Sequence, residues 1–93
     1  MTAIPASVRK AVITRADGHC EVCGTPGPSH VHHRKLRSQG GRHEPVNLLH
    51  IHHTCHERIH ANPERSYALG HLVPGWADPA DVPVQALIPE ETS

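Results

Sequence analysis

Residues 30–36 read HVHHRKL, and residues 47–61 read NLLHIHHTCHERIHA. The first stretch places adjacent imidazoles, His32 and His33, ahead of a basic cluster. The second is a short apolar run that passes into helical character and ends at Asn62-Pro63, since a residue before proline is steered away from the α region. Between them lies RSQGGRHEPVN, read as a loop with Gly40-Gly41 as its flexible centre. The order is therefore strand, loop, strand, helix. His56 and His60 are four apart on that helix and project from one face, a spacing that chelates one ion. His32 on the preceding strand supplies a third nitrogen. Three protein ligands leave coordination positions open, which separates a catalytic metal site from a structural one. In a strand, neighbouring side chains point to opposite faces. His32 and His33 are thus expected to divide the work, one holding metal and the other meeting substrate as a neutral base near pH 7.

Upstream, Cys20-x-x-Cys23 is a bite that lets two thiolates of one turn reach one tetrahedral ion. Cys55 is the third and last thiol of the chain, and His52 precedes it by three residues. Cys20, Cys23, His52 and Cys55 make a closed Cys₃His set for a structural Zn²⁺, with His50 and His53 as rival fourth ligands. The composition calls for such a staple. The chain has 93 residues, one tryptophan, one tyrosine and no phenylalanine, so its core is thin, and small scaffolds of this kind depend on disulfides or metal. Three cysteines cannot all pair. The N-terminal MTAIPASVRK lacks the apolar run of a secretory signal, and no run is long enough for a membrane span. A cytoplasmic, metal-bound protein with no membrane association is the expectation.

The rest of the chain frames these groups. Residues 5–16 are expected to form a first helix, with Pro5 in its first turn, Val8, Val12 and Ile13 as its apolar stripe, and Gly18 as its stop. Residues 64–69 add a short helix closed by Gly70. From His71 on, four prolines indicate an extended segment tied down through Leu72, Val73, Trp76 and Val84, with a frayed acidic end. The domain reading is 1–70 for the compact unit and 71–93 for the Pro-rich acidic segment. Residues 1–60 hold eight basic and four acidic side chains, and residues 61–93 hold one and five. A basic front suits a polyanion partner. His19, His30, His43 and His71 are read as surface residues.

The string HERIH at 56–60 also fits the H-E-x-x-H pattern of zinc proteases. The short helix, the thiol directly before it and the small body argue against a peptide cleft. A non-catalytic zinc-finger module that binds DNA or protein is the main alternative. It would use the Cys₃His set and leave His33 and Asn47 without a task. A metal buffer would predict loose stoichiometry.

The run HVHHRKLRSQGG…NLLHIHHTCHERIH, preceded by CEVCG, resembles the HNH endonuclease family over about residues 5–62. The resemblance implies an α+β fold: a small zinc-stapled ββα-metal domain, here with an N-terminal helix and an extended C-terminal tail. It implies a metal-dependent DNA endonuclease that hydrolyses phosphodiester bonds, by nicking or double-strand cleavage, with low intrinsic sequence specificity. His32 falls on the metal ligand of the paired position and His33 on the general base. Asn47 falls on the asparagine that orients the base, and His56 and His60 fall on the helix ligands. His52 stands where a cysteine is usual. Arg34, Lys35, Arg37 and Arg42 would grip neighbouring phosphates, and residues 38–41 would form a mobile rim near DNA. An all-imidazole shell suits Zn²⁺, Ni²⁺, Co²⁺ or Mn²⁺ better than Mg²⁺, and the family uses several ions. Small stand-alone members of this layout resemble those of bacteriophages, some of which work beside the packaging terminase. A palindromic double cut would need a dimer; a nick needs only a monomer.

Overall fold

The computed structural model describes residues 3–86. The chain runs through α1 (Ala6–Ala16), β1 (His30–His33), β2 (Leu48–Ile51), α2 (His53–Ala61) and α3 (Pro63–Leu69). Short 3-10 turns occupy Arg37–Gln39, Pro45–Asn47 and Pro79–Asp81. β1 and β2 pair antiparallel, with His30 opposite Ile51, His32 opposite Leu49 and His33 opposite Leu48. The two strands and the helix that follows them make a ββα unit, and α1 packs against β2.

Local chemistry accounts for the element ends. Pro5 is the residue before α1 rather than its first turn, and its carbonyl accepts from Val8 and Arg9. The helix ends at Ala16, as expected, but the residue that stops it is Asp17 rather than Gly18: Asp17 itself adopts the left-handed conformation (φ 52°), which aspartate tolerates better than most side chains. Asn62 closes α2 and leads into Pro63 at the start of α3, where a missing N–H costs nothing. Gly70 ends α3 at φ 78°. A Cβ there would lie 2.1 Å from the Pro83 carbonyl oxygen, so glycine is needed for both backbone angle and space.

The core is small and aliphatic. Cys20, Val22, Leu49, Ile51, Cys55, Ile59 and Leu72 form one cluster, with Val12, Leu48 and Val73 buried alongside. On α1 the buried line is Val12 and Ala16, four apart, while Ile13 is turned out. The stripe expected through Ile13 was rotated by one position. Arg15 adds a polar tie: it makes a two-bonded ion pair with Glu21, both contacts at 2.7 Å, and donates to the carbonyls of Pro45 and Leu48.

Two expectations about loops change. Gly41 is not a flexible centre. It is buried, its N–H bonds Leu36 O at 2.9 Å, and a Cβ would sit 1.8 Å from Lys35 O. The segment after Gly70 is tied down through Leu72 and Val73, but Trp76 is 89 % exposed and Val84 also lies out. The backbone supplies the ties instead: Val73 N–H donates to Arg34 O and Gln85 N–H to Leu69 O. The acidic end expected at Glu90 and Glu91 lies outside the described residues. Among the described residues, no helix is long and apolar enough to cross a membrane.

Candidate active site and metal centres

β1 and α2 face each other through imidazoles. Residues on alternate positions of β1 share a face, and residues three or four apart on α2 share a stripe. His32 thereby meets His56 and His60, with ring centroids 5.3 and 5.6 Å away, and the two helix rings are 4.6 Å apart. One nitrogen from each of the three lies within 4.8 Å of the others.

The tautomer of His32 follows from its partner. Nε2 lies 2.8 Å from the His71 carbonyl oxygen, which can only accept, so Nε2 carries the proton and Nδ1 is bare. This outer-shell bond is what fixes and orients an imidazole for a metal. Burial, with the neighbouring His56, His60 and His33 adding to it, pushes His32 down to about 4 against the pull of its backbone bond. Its ring is therefore neutral at pH 7. Burial followed by His60 also lowers His56. Three imidazole nitrogens converging from a strand and a helix, two of them partly open to solvent, fit a borderline divalent ion with free positions.

His33 leaves this group, as strand alternation requires. Its Nε2 lies 3.1 Å from His43 Nδ1. Burial lowers its pKa, and the adjacent His43 and Arg37 lower it further. Asn47 is fully buried, and its carboxamide ties the loop rather than the ring: Oδ1 accepts from Lys35 N–H at 2.7 Å, and Nδ2 donates to Lys35 O and Arg42 O, each at 3.1 Å. Its own carbonyl accepts from Arg34 N–H at 2.8 Å. Asn47 is a positioning residue that fixes the backbone beyond His33.

The second group unites the turn after α1, the end of β2 and the first turn of α2. Cys20, Cys23, His52 and Cys55 bring their ligand atoms within 4.8 Å of one another. The Cys20 and Cys55 sulfurs are 3.7 Å apart, and Cys23 Sγ is 3.3 Å from His52 Nδ1. Ligands 2.0–2.3 Å from a tetrahedral zinc would be separated by about 3.5–3.8 Å, so the donor set fits that ion. His52 repeats the device of His32, with Nε2–H on the Pro26 carbonyl at 2.9 Å. Although burial opposes it, hydrogen bonds centred on Thr25 bring the Cys23 thiol down to about 6, while burial and the other two thiols push Cys55 up to about 12. Crowded sulfurs that cannot all ionise without a cation are what zinc would relieve. Neither rival, His50 nor His53, joins this group, and His53 faces His30 instead.

The basic residues divide. Lys35 and Arg42 line an open cleft of about 420 Å³ with Glu44, Trp76 and Asp78. Arg37 is exposed and donates to Gly41 O at 2.6 Å. Arg34 does not belong with them. It is 2 % exposed and donates to the carbonyls of Gly70 and Val46, each at 2.8 Å, of Pro79 at 3.2 Å, and of Val82. It is an interior strut, and phosphate cannot reach it. Two histidines taken as surface residues also have structural positions. His71 is 1 % exposed with Nε2 on Gln85 O at 2.6 Å, and His43 meets His33. Neither shows in the sequence, where both are isolated from any ligand spacing.

Residues 20–62 match the family model described as HNH endonuclease. No curated protein matches the chain.

Proposed function

We propose, from the match of residues 20–62 to the HNH endonuclease family model, that this chain is a metal-dependent DNA endonuclease in which His32, His56 and His60 hold one divalent ion and His33 is the general base. The observation that carries this reading is the parting of the histidine pair. His32 is turned inward to a three-nitrogen cluster, while His33 is turned away to a half-buried position beside His43.

The chain's own residues do the following. Burial, with His43 and Arg37 adding to it, favours the neutral form of His33. In the tautomer where His33 Nε2–H is the donor to His43 Nδ1, its Nδ1 is bare and takes a proton from the attacking water. Asn47 holds the backbone of residues 34–42 in place through Lys35 and Arg42, so the base and the basic loop keep one relative position. Lys35, Arg37 and Arg42 bind flanking phosphates, a contribution that orients DNA without reading its sequence. An ion bound to the three imidazoles would supply charge to stabilise the scissile phosphate and its leaving oxygen. Zn²⁺, Ni²⁺, Co²⁺ and Mn²⁺ suit the imidazoles better than Mg²⁺. The Cys₃His group would carry a structural Zn²⁺.

So small a body supports low sequence specificity, with location supplied by a partner such as a phage packaging terminase, in the cytoplasm of the cell that holds the DNA. The test is plasmid cleavage across these ions with His33→Ala beside the parent protein. Ion-dependent nicking that falls by about 100-fold or more in a folded His33→Ala protein is expected for loss of a general base. DNA retardation without cleavage by any ion would instead identify a non-catalytic zinc module.

A further inference from the structure

The row of imidazoles between β1 and α2 extends past the three-histidine cluster. His30 occupies the same face of β1 as His32, two positions earlier, and His53 begins α2 on the stripe that continues to His56 and His60. Their nitrogens meet: His30 Nε2 lies 3.2 Å from His53 Nδ1, with ring centroids 4.7 Å apart. Two nitrogens 2.0–2.1 Å from one tetrahedral ion would be separated by about 3.4 Å, so this contact, a ring-to-ring hydrogen bond without an ion, is at the spacing that lets both nitrogens reach one ion.

The outer nitrogens of both rings are already held. His53 Nε2 is 3.1 Å from Glu57 Oε2, an acceptor when ionised, so Nε2 is the protonated nitrogen and Nδ1 is bare. His30 Nδ1 faces Ser29 Oγ at 3.3 Å. A hydroxyl can donate or accept, so moving the His30 proton from Nε2 to Nδ1 keeps that contact and bares Nε2. A carboxylate on the far nitrogen of one ligand and a hydroxyl on that of the other are the outer-shell supports that metal-bound histidines use. The pair lies partly open to solvent, which leaves room for water to complete the coordination.

From this juxtaposition we propose that His30 and His53 form a third metal site, distinct from the Cys₃His group and from His32, His56 and His60, with Glu57 orienting His53. It takes a borderline divalent ion that favours imidazole, such as Zn²⁺ or Ni²⁺, rather than Mg²⁺ or Ca²⁺. With two protein ligands it binds more weakly than either of the other groups, and it fills only at excess metal. The His30 ring is 5.7 Å from that of His56, so an ion here adds positive charge beside the three-histidine cluster.

The test is equilibrium dialysis of the full chain against rising Zn²⁺, with bound metal counted per chain, for the parent, His30→Ala, His53→Ala and His19→Ala. His19 is another exposed histidine and lies outside the row. The expected result is one ion fewer at saturation in both His30→Ala and His53→Ala, with the tighter-binding ions retained and His19→Ala unchanged. Equal saturation in the parent and both variants would overturn the proposal, as would an equal loss in His19→Ala. The readout is a difference between proteins and involves no cleavage, so it stands apart from the nuclease reading.

Discussion

The Arg34 guanidinium bridges four carbonyls, from Val46, Gly70, Pro79 and Val82, that belong to three segments of the chain. Its own backbone is clamped as well, with N–H on Asn47 O and the carbonyl taken by Val73 N–H. Removing the side chain leaves buried acceptors unpaired, and each costs on the order of 1–3 kcal/mol. Arg34→Met is therefore expected to lower unfolding free energy by about 3 kcal/mol or more, measured by urea denaturation. A phosphate-binding arginine would behave oppositely, losing DNA affinity at unchanged stability. At the neighbouring His32, the folded pKa of about 4 lies below the ordinary 6.5 of an exposed histidine. The unfolded chain takes the proton first, so the contribution is complete above pH about 6.5 and is lost as pH falls toward 4. With one equivalent of zinc bound, the denaturation midpoint should decline from pH 7 to pH 5, and His32→Gln should flatten that decline.

Among the elements, the loop between the strands carries the most information about the site. Asn47 pins it from below, and Gly41 presses against the Lys35 carbonyl. Gly41→Ala forces the backbone of residues 35–36 aside, an overpacking cost of about 2 kcal/mol. Gly40→Ala meets nothing within 4 Å but holds φ at +90°, so it costs only about 1 kcal/mol of backbone strain. The order of the two effects, by thermal unfolding, checks whether the loop is built or loose. Both helices after β2 were legible because their boundaries rest on adjacent residues: Asn62-Pro63 and Gly70. The face of α1 was not, since Val12 and Ile13 are equally apolar and only the position of β2 chooses between them.

For the whole molecule, the Cys₃His group joins α1's trailing turn, β2 and α2, which otherwise share a small aliphatic core and, between α1, the turn and β2, the polar ties of Arg15 and Glu21. Chelation is expected to lower the thermal midpoint sharply and broaden the transition, with full recovery on adding zinc. His52→Cys, which replaces imidazole by thiolate at the same ion, should preserve zinc binding, read by the count of bound metal.

The spacings Cys20-x-x-Cys23, His52-x-x-Cys55 and His56-x-x-x-His60 determined, from sequence alone, which side chains could share an ion and that a strand, a strand and a helix must present them. Those relations are local, fixed by turn, strand and helix periodicity. Only the tertiary structure decided that Arg34 is interior, that Trp76 is exposed, and that His30 faces His53. The carbonyl that sets the His32 tautomer comes from His71, 39 positions away. Such contacts depend on where distant backbone segments cross, and no spacing along the chain encodes that.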